Sequence, residues 1–219
     1  MLSERLLQVE ERIQAAVNRA GRKREEITLV AVTKKFPAEI TREAYELGLR
    51  SFGENYVQEF ERKHPLLGDL AGAEFHLIGH LQSNKSRIAG DLFQVIETVD
   101  SEKLAKRLDQ LNRPLEVMIE VKLSHEEAKE GAPPESLPAL IGAIRTCPNL
   151  RLTGLMTMPP WCDDPEVTRP YFRTLTALAR EHGLPKLSMG MSHDLEAAIE
   201  EGATHVRVGT ALFGPRKKE

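Results

Sequence analysis

The feature that most restricts the fold is an unbroken alternation. Eight short runs of apolar and β-branched residues, at 27–34, 50–55, 74–80, 93–99, 115–122, 151–158, 186–192 and 204–214, are each parted by a segment with helical spacing. Leu104, Leu108 and Leu111 form one helical stripe, and Leu137, Leu140, Ile141 and Ile144 form another. Phe172, Leu175 and Ala179 mark a third within 165–182, and Leu195, Ala198 and Ile199 a fourth. Strands joined through helices run parallel, because a parallel pair needs a long crossover. Eight such units predict an α/β fold, a (β/α)8 TIM barrel forming a single domain over 1–219, with an open doubly wound sheet as the competing architecture.

An extra N-terminal helix is expected at about 3–19, its face marked by Leu6, Val9, Ile13 and Val17 and its end by Gly21. No helix follows the eighth run, so this opening helix is expected to cover that side of the ring. Pro37 suits the first turn of the second helix, Gly48 and Gly202 suit helix ends, and Ser83 and Ser101 are placed to cap.

Composition removes several function classes. The chain of 219 residues carries a net charge of −3 with its acids and bases interspersed, which is not a nucleic-acid footprint. The basic run Arg216, Lys217, Lys218 reads as a solvated end. No apolar run approaches the roughly 18–20 residues needed to span a bilayer, and the acid-bearing start lacks a signal-peptide core. Cytoplasmic localisation without a membrane or nucleic-acid partner is expected. Cys147 and Cys162 have no C-x-x-C spacing, which argues against a disulfide framework or zinc site. No exposed heptad or sustained apolar patch is visible, so a monomer is expected.

In a barrel the active site lies at the C-terminal ends of the strands. Those ends carry Lys34, Asn55, His80, Asp100, Lys122, Met158, Ser192 and the Arg207–Thr210 group, whereas the strand interiors read as mostly aliphatic. A lysine at such an end can be desolvated and freed for Schiff-base chemistry; the alternative is that Lys34 and Lys35 ring a solvated edge. Ser192, Gly209 and Thr210 fall after the last two strands, where barrels often bind phosphate; taken singly, the serine could be a plain helix cap and the glycine a tight bend. Val206 and Val208 should pack on helices, which turns Arg207 into the barrel mouth. There it needs an anion, either a ligand or an acid such as Glu120. His76 and His80 read as packing or hydrogen-bonding groups, since no His/Asp/Glu set has metal spacing. Met156, Met158, Met189 and Met191 read as core filling.

The segments LVAVTK (29–34), FGENYVQE (52–59), FHLIGHLQSNK (75–85), GLMTM (154–158), LSMGMSHD (187–194) and RVGTALFG (207–214) resemble the pyridoxal-phosphate homeostasis proteins, the YggS/PROSC type. Members are similar to the N-terminal barrel of alanine racemase and lack its second domain. The resemblance implies that Lys34 holds pyridoxal 5′-phosphate as an internal aldimine while Lys35 faces away. It implies that Ser192, Gly209 and Thr210 hold the phosphate, that Arg207 faces the pyridine nitrogen and that Asn55 lines the ring pocket. The family often has serine where Thr33 stands, and the loop 159–168 is particular to this chain. A cation beside the ring nitrogen disfavours its protonation and weakens the electron sink. The expected role is therefore a cofactor carrier that passes pyridoxal phosphate to apo-enzymes with little or no turnover, with no catalytic residue assigned. The competing readings are a racemase-like enzyme, with Tyr56 as a stand-in second acid/base group, and a cofactor-independent sugar-phosphate enzyme using Lys34.

Overall fold

The computed structural model describes residues 1–124, 126 and 130–215; the basic run at 216–218 lies outside the described residues. Eight parallel strands close into a barrel in sequence order: β1 (Thr28–Val32), β2 (Ser51–Glu54), β3 (Glu74–Leu77), β4 (Val95–Val99), β5 (Leu115–Glu120), β6 (Leu150–Met156), β7 (Lys186–Met191) and β8 (His205–Val208). β8 pairs with β1, Ala31 lying beside Val208, which closes the ring and excludes the open sheet.

The helices are α1 (Leu2–Arg19), α2 (Ala38–Glu46), α3 (Val57–Lys63), α4 (Ser86–Leu92), α5 (Glu102–Asp109), α6 (Leu137–Arg145), α7 (Arg169–Glu181), α8 (Leu195–Glu200) and α9 (Thr210–Phe213). Their apolar faces meet the outward side chains of the strands. Phe52, Phe75, Leu77, Val117, Ile119, Val206 and Val208 join this layer, where Phe60 of α3 packs 4.8 Å from both Phe75 and Phe93. Burying each such side chain is worth about 1.5–3 kcal/mol. This sheet–helix layer is the main core.

Several expectations change. The eighth run is not one strand to 214: it stops at Val208, and Gly209 (φ −115°, ψ −75°) turns the chain into the single helical turn α9. That turn is too short to cover the ring, and α1 packs against both α8 and α9, as its position in the sequence required. Ser101 caps α5 by accepting from the Leu104 N–H at 3.4 Å. Ser83 does not cap: a 3-10 turn, Ser83–Lys85, precedes α4, and the Ser86 hydroxyl donates back to the Ser83 carbonyl.

The barrel interior is not only aliphatic: beside Val30, Val32 and Val95 it holds a set of polar and charged groups. His76, Glu97, Ser188, His205 and Arg207 occupy the enclosed side of their strands, all buried. Arg207 Nη1 donates to Ser188 Oγ (2.7 Å), which donates to Glu97 Oε2 (2.5 Å), and Glu97 Oε1 meets His76 Nδ1 at 2.8 Å. Burial would neutralise His76, but its hydrogen bonds to Glu74 and Glu97 raise it to about 9. Burial would raise Glu97, but the His76 hydrogen bond and the nearby cations hold it at about 2. Burial pushes His205 down to about 4, against the pull of Glu97. At neutral pH the chain is therefore Arg207 cation, Ser188, Glu97 anion and His76 cation, so the Glu97 charge has a cation on either side.

Candidate functional site

Strand register brings the candidate residues together. Thr33 lies beside β2, its N–H bonded to the Gly53 carbonyl, so the turn carrying Lys34 stands next to Asn55. On the other side, the pairing of Ala31 with Val208 sets Lys34 beside Gly209 and Thr210. Lys34, Asn55, Ser192, Arg207, Gly209 and Thr210 all line one cavity of about 430 Å³ at the C-terminal mouth of the barrel.

The Lys34 turn is strapped from beneath. Thr33 Oγ1 donates to Glu54 Oε1 (2.8 Å), and Lys63 Nζ reaches Glu54 Oε1 (2.6 Å), the Thr33 carbonyl (3.0 Å) and the Phe36 carbonyl (3.1 Å). Glu59 accepts from the Lys35 N–H at 2.6 Å, holding that residue in a left-handed conformation (φ 62°). Lys34 is half-buried and lines the cavity, while Lys35 is exposed and turned to the outer flank.

Asn55 is fixed by a close approach. A Cβ on Gly79 would stand 2.4 Å from the Asn55 carbonyl oxygen, so only glycine lets the end of β3 pass there. Asn55 Oδ1 is buried without a hydrogen-bond partner among the described residues, an acceptor that a ligand in the cavity would satisfy.

At the opposite wall, Ser192 is not a helix cap; α8 begins at Leu195 with Asp194 before it. Ser192 Oγ instead accepts from the Ala211 N–H (3.2 Å), tying the turn after β7 to the first turn of α9. Arg12 of α1 holds the same turn from outside, with Nη1 on the Ser192 carbonyl (2.8 Å) and a two-point pair to Glu196. Arg207 is inward as expected, but its hydrogen bonds go to Ser188 and the Thr157 carbonyl (2.8 Å), not to Glu120.

These residues fit pyridoxal phosphate. A lysine amine suits its aldehyde. The serine and threonine hydroxyls, with backbone that opens a helical turn, suit its phosphate, and a guanidinium suits an unprotonated ring nitrogen.

Some of the site was not foreseen. His193 lines the cavity beneath Trp161, ring centroids 4.0 Å apart, and neither of its nitrogens has a hydrogen-bond partner among the described residues. Ser188, Glu97 and the Glu54–Lys63–Glu59 strap were also missed. Tyr56 is 48 % exposed and lies on the outer flank with Lys35, outside the cavity. Met156 and Met189 are core residues, but Met158 and Met191 line the cavity. His76 is a hydrogen-bonding histidine; His80 stands with Asp100 and Glu130, their ligand atoms within 4.8 Å of one another, a grouping that sequence spacing does not reveal.

The family model for the alanine racemase N-terminal domain matches residues 5–217. The chain is 47% identical over 224 residues to a pyridoxal phosphate homeostasis protein of Aquifex aeolicus (strain VF5), covering 98% of each. It superposes on PipY of Synechococcus elongatus PCC7942 with PLP bound at a TM-score of 0.86 and 37% identity, covering 98% of this chain and 100% of that one. Alanine racemase of Corynebacterium glutamicum shares the fold (TM-score 0.70, 21% identity), with 95% of this chain matched to 60% of that one.

Proposed function

We propose a function from one premise: the chain belongs to the alanine racemase N-terminal domain family and, within it, to the pyridoxal phosphate homeostasis proteins. It binds pyridoxal 5′-phosphate reversibly at the barrel mouth, keeps the reactive aldehyde sequestered and serves as an intracellular reservoir for apo-enzymes, with little or no turnover of its own. The supporting observation is that six residues from four strand ends, chosen from sequence, line one 430 Å³ cavity.

When bound, the cofactor supplies an aldehyde for Lys34 Nζ and an electron sink in its ring. The chain's own residues do the rest. Ser192, Gly209 and Thr210 hold the phosphate. Arg207, always protonated, would stand beside the ring nitrogen as a donor, and its charge would disfavour protonation of that nitrogen, so the sink stays weak. Asn55 closes the ring pocket. The Lys63 strap fixes the Lys34 turn, and Trp161 with Met158 shields one side from water.

A racemase needs acid/base groups on both substrate faces. Lys34 serves one. Tyr56, outside the cavity, does not serve the other, which favours storage over catalysis.

The test is a visible absorption spectrum of protein mixed with pyridoxal phosphate, followed by borohydride reduction and peptide mapping. The reduced adduct should map to Lys34, and Lys34→Ala should lose the visible band. A variant with an unchanged band would remove the assignment. Measurable exchange of solvent deuterium at Cα of an amino acid, well above free cofactor, would favour the racemase instead.

A further inference from the structure

Beside the cofactor cavity, and sharing Met158, Trp161 and Met191 with it, lies a second cavity of about 530 Å³ over the ends of β3, β5 and β6. Its charge is one-sided. Among the described residues lining it, Glu120, Glu126 and Glu130 stand against Lys122, with His80 at the rim. Asp100 adds a carboxylate 3.7 Å from His80 Nδ1, and Glu130 lies 3.8 Å from the same atom.

Glu120 is the telling residue. It is 5 % exposed and lines this cavity; its carbonyl accepts from the Ala132 N–H at 2.8 Å, while its carboxylate faces the cavity lining. Burial is the main cause of its carboxyl rising to about 7; Arg207 pulls the other way, while Asp100 and Glu130 add to the rise. A carboxylate with so little access to water is stabilised by a cation brought beside it. The remaining walls include Val121, Leu123, Pro159 and Trp161, which suit an alkyl chain.

We propose that this second cavity binds an alkylammonium group that has no carboxylate beside it, with Glu120 as its buried partner. Resting on the cofactor reading above, this names the class of amine admitted next to the bound aldehyde. An α-amino acid brings a carboxylate that Glu120 and Glu130 repel. A diamine, or a lysine side chain presented by a polypeptide, does not. The charge pattern thus works against amino-acid turnover and for exchange with a lysine. A bare divalent cation would use only His80, Asp100 and Glu130, leaving Glu120 and the apolar walls unexplained.

The test uses calorimetry on the full chain, first without cofactor. Cadaverine should bind, and aminocaproate, the same chain with a carboxylate for one amine, should bind about tenfold more weakly or not at all. Glu120→Gln should weaken cadaverine about tenfold, with near-ultraviolet circular dichroism confirming its fold. Glu130→Gln, at an exposed position, gives a second variant whose affinity should also fall. A blocked peptide containing lysine, compared with its alanine counterpart, separates the sources: peptide binding marks a polypeptide lysine, cadaverine alone a small amine. Equal affinity for cadaverine and aminocaproate, or no effect of either variant, would overturn the proposal. So would Mn²⁺ binding that His80→Ala abolishes, with no binding of cadaverine. These readouts need no cofactor, so they stand or fall apart from the visible band that tests Lys34.

Discussion

Lys63 Nζ stands 2.6 Å from Glu54 Oε1, both side chains buried beneath the turn that carries Lys34. The lysine also takes the Thr33 and Phe36 carbonyls, so one ammonium gathers a strand end, a helix and the turn between β1 and α2. Burial raises the Glu54 carboxyl, and the Lys63 charge offsets only part of that.

Lys63→Met should therefore leave a buried glutamate unpaired and cost about 3 kcal/mol in urea unfolding. Removing both charges, as Lys63→Met with Glu54→Leu, should recover part of that stability. It should not recover cofactor affinity, because the carbonyls of the Lys34 turn would still lack their donor. A double variant that binds pyridoxal phosphate like the parent would show the strap to be irrelevant to the site.

Gly79→Ala tests the close approach at Asn55. With a Cβ 2.4 Å from the Asn55 carbonyl, the end of β2 must move or the protein must strain, at about 1–3 kcal/mol. Weaker cofactor binding and a lower melting temperature are both expected. Normal values for both would mean that the two strand ends can part without consequence.

The interior charge chain gives a pH signature. His76 is raised from 6.5 to about 9, so its favourable charge is fully present below pH 6.5 and is lost as pH rises through about 9. That contribution is on the order of 3 kcal/mol. His76→Gln should lower stability at pH 6 and flatten the fall between pH 7 and 9.5 (roughly the titration window), read as melting temperature against pH. Parallel curves for parent and variant would place the titration elsewhere.

Arg12→Ala removes the outer grip on the Ser192 turn. The arginine is one-third exposed, so stability should change by less than about 1 kcal/mol. Cofactor affinity should fall several-fold, and free phosphate should compete less well. An effect on stability alone would assign Arg12 to packing.

The ring and its cavity were legible in the sequence because both follow from periodicity and position. Apolar runs alternating with helical stripes dictate parallel units, and strand ends dictate where Lys34, Asn55 and Ser192 meet. The interior charges were not legible, because Glu97 in FQVIETV and Ser188 in KLSMGM look like ordinary strand residues until their partners across the barrel are known. Arg12 looks like any solvated helix arginine. Lys63, on a helix remote from β1 in sequence, carries no local sign that it is buried. His80 and Asp100 follow separate strands and Glu130 lies in the connection after β5, so no motif spacing could join them.

The closing pair, β8 against β1, has a consequence for how the molecule matures. Lys34 is synthesised about 175 residues before Gly209 and Thr210, yet all three line one cavity. No early fragment owns a whole pocket. Under the function proposed above, cofactor capture would thus report that the circle is complete, since a polypeptide halted before its eighth strand has Lys34 but lacks Gly209 and Thr210.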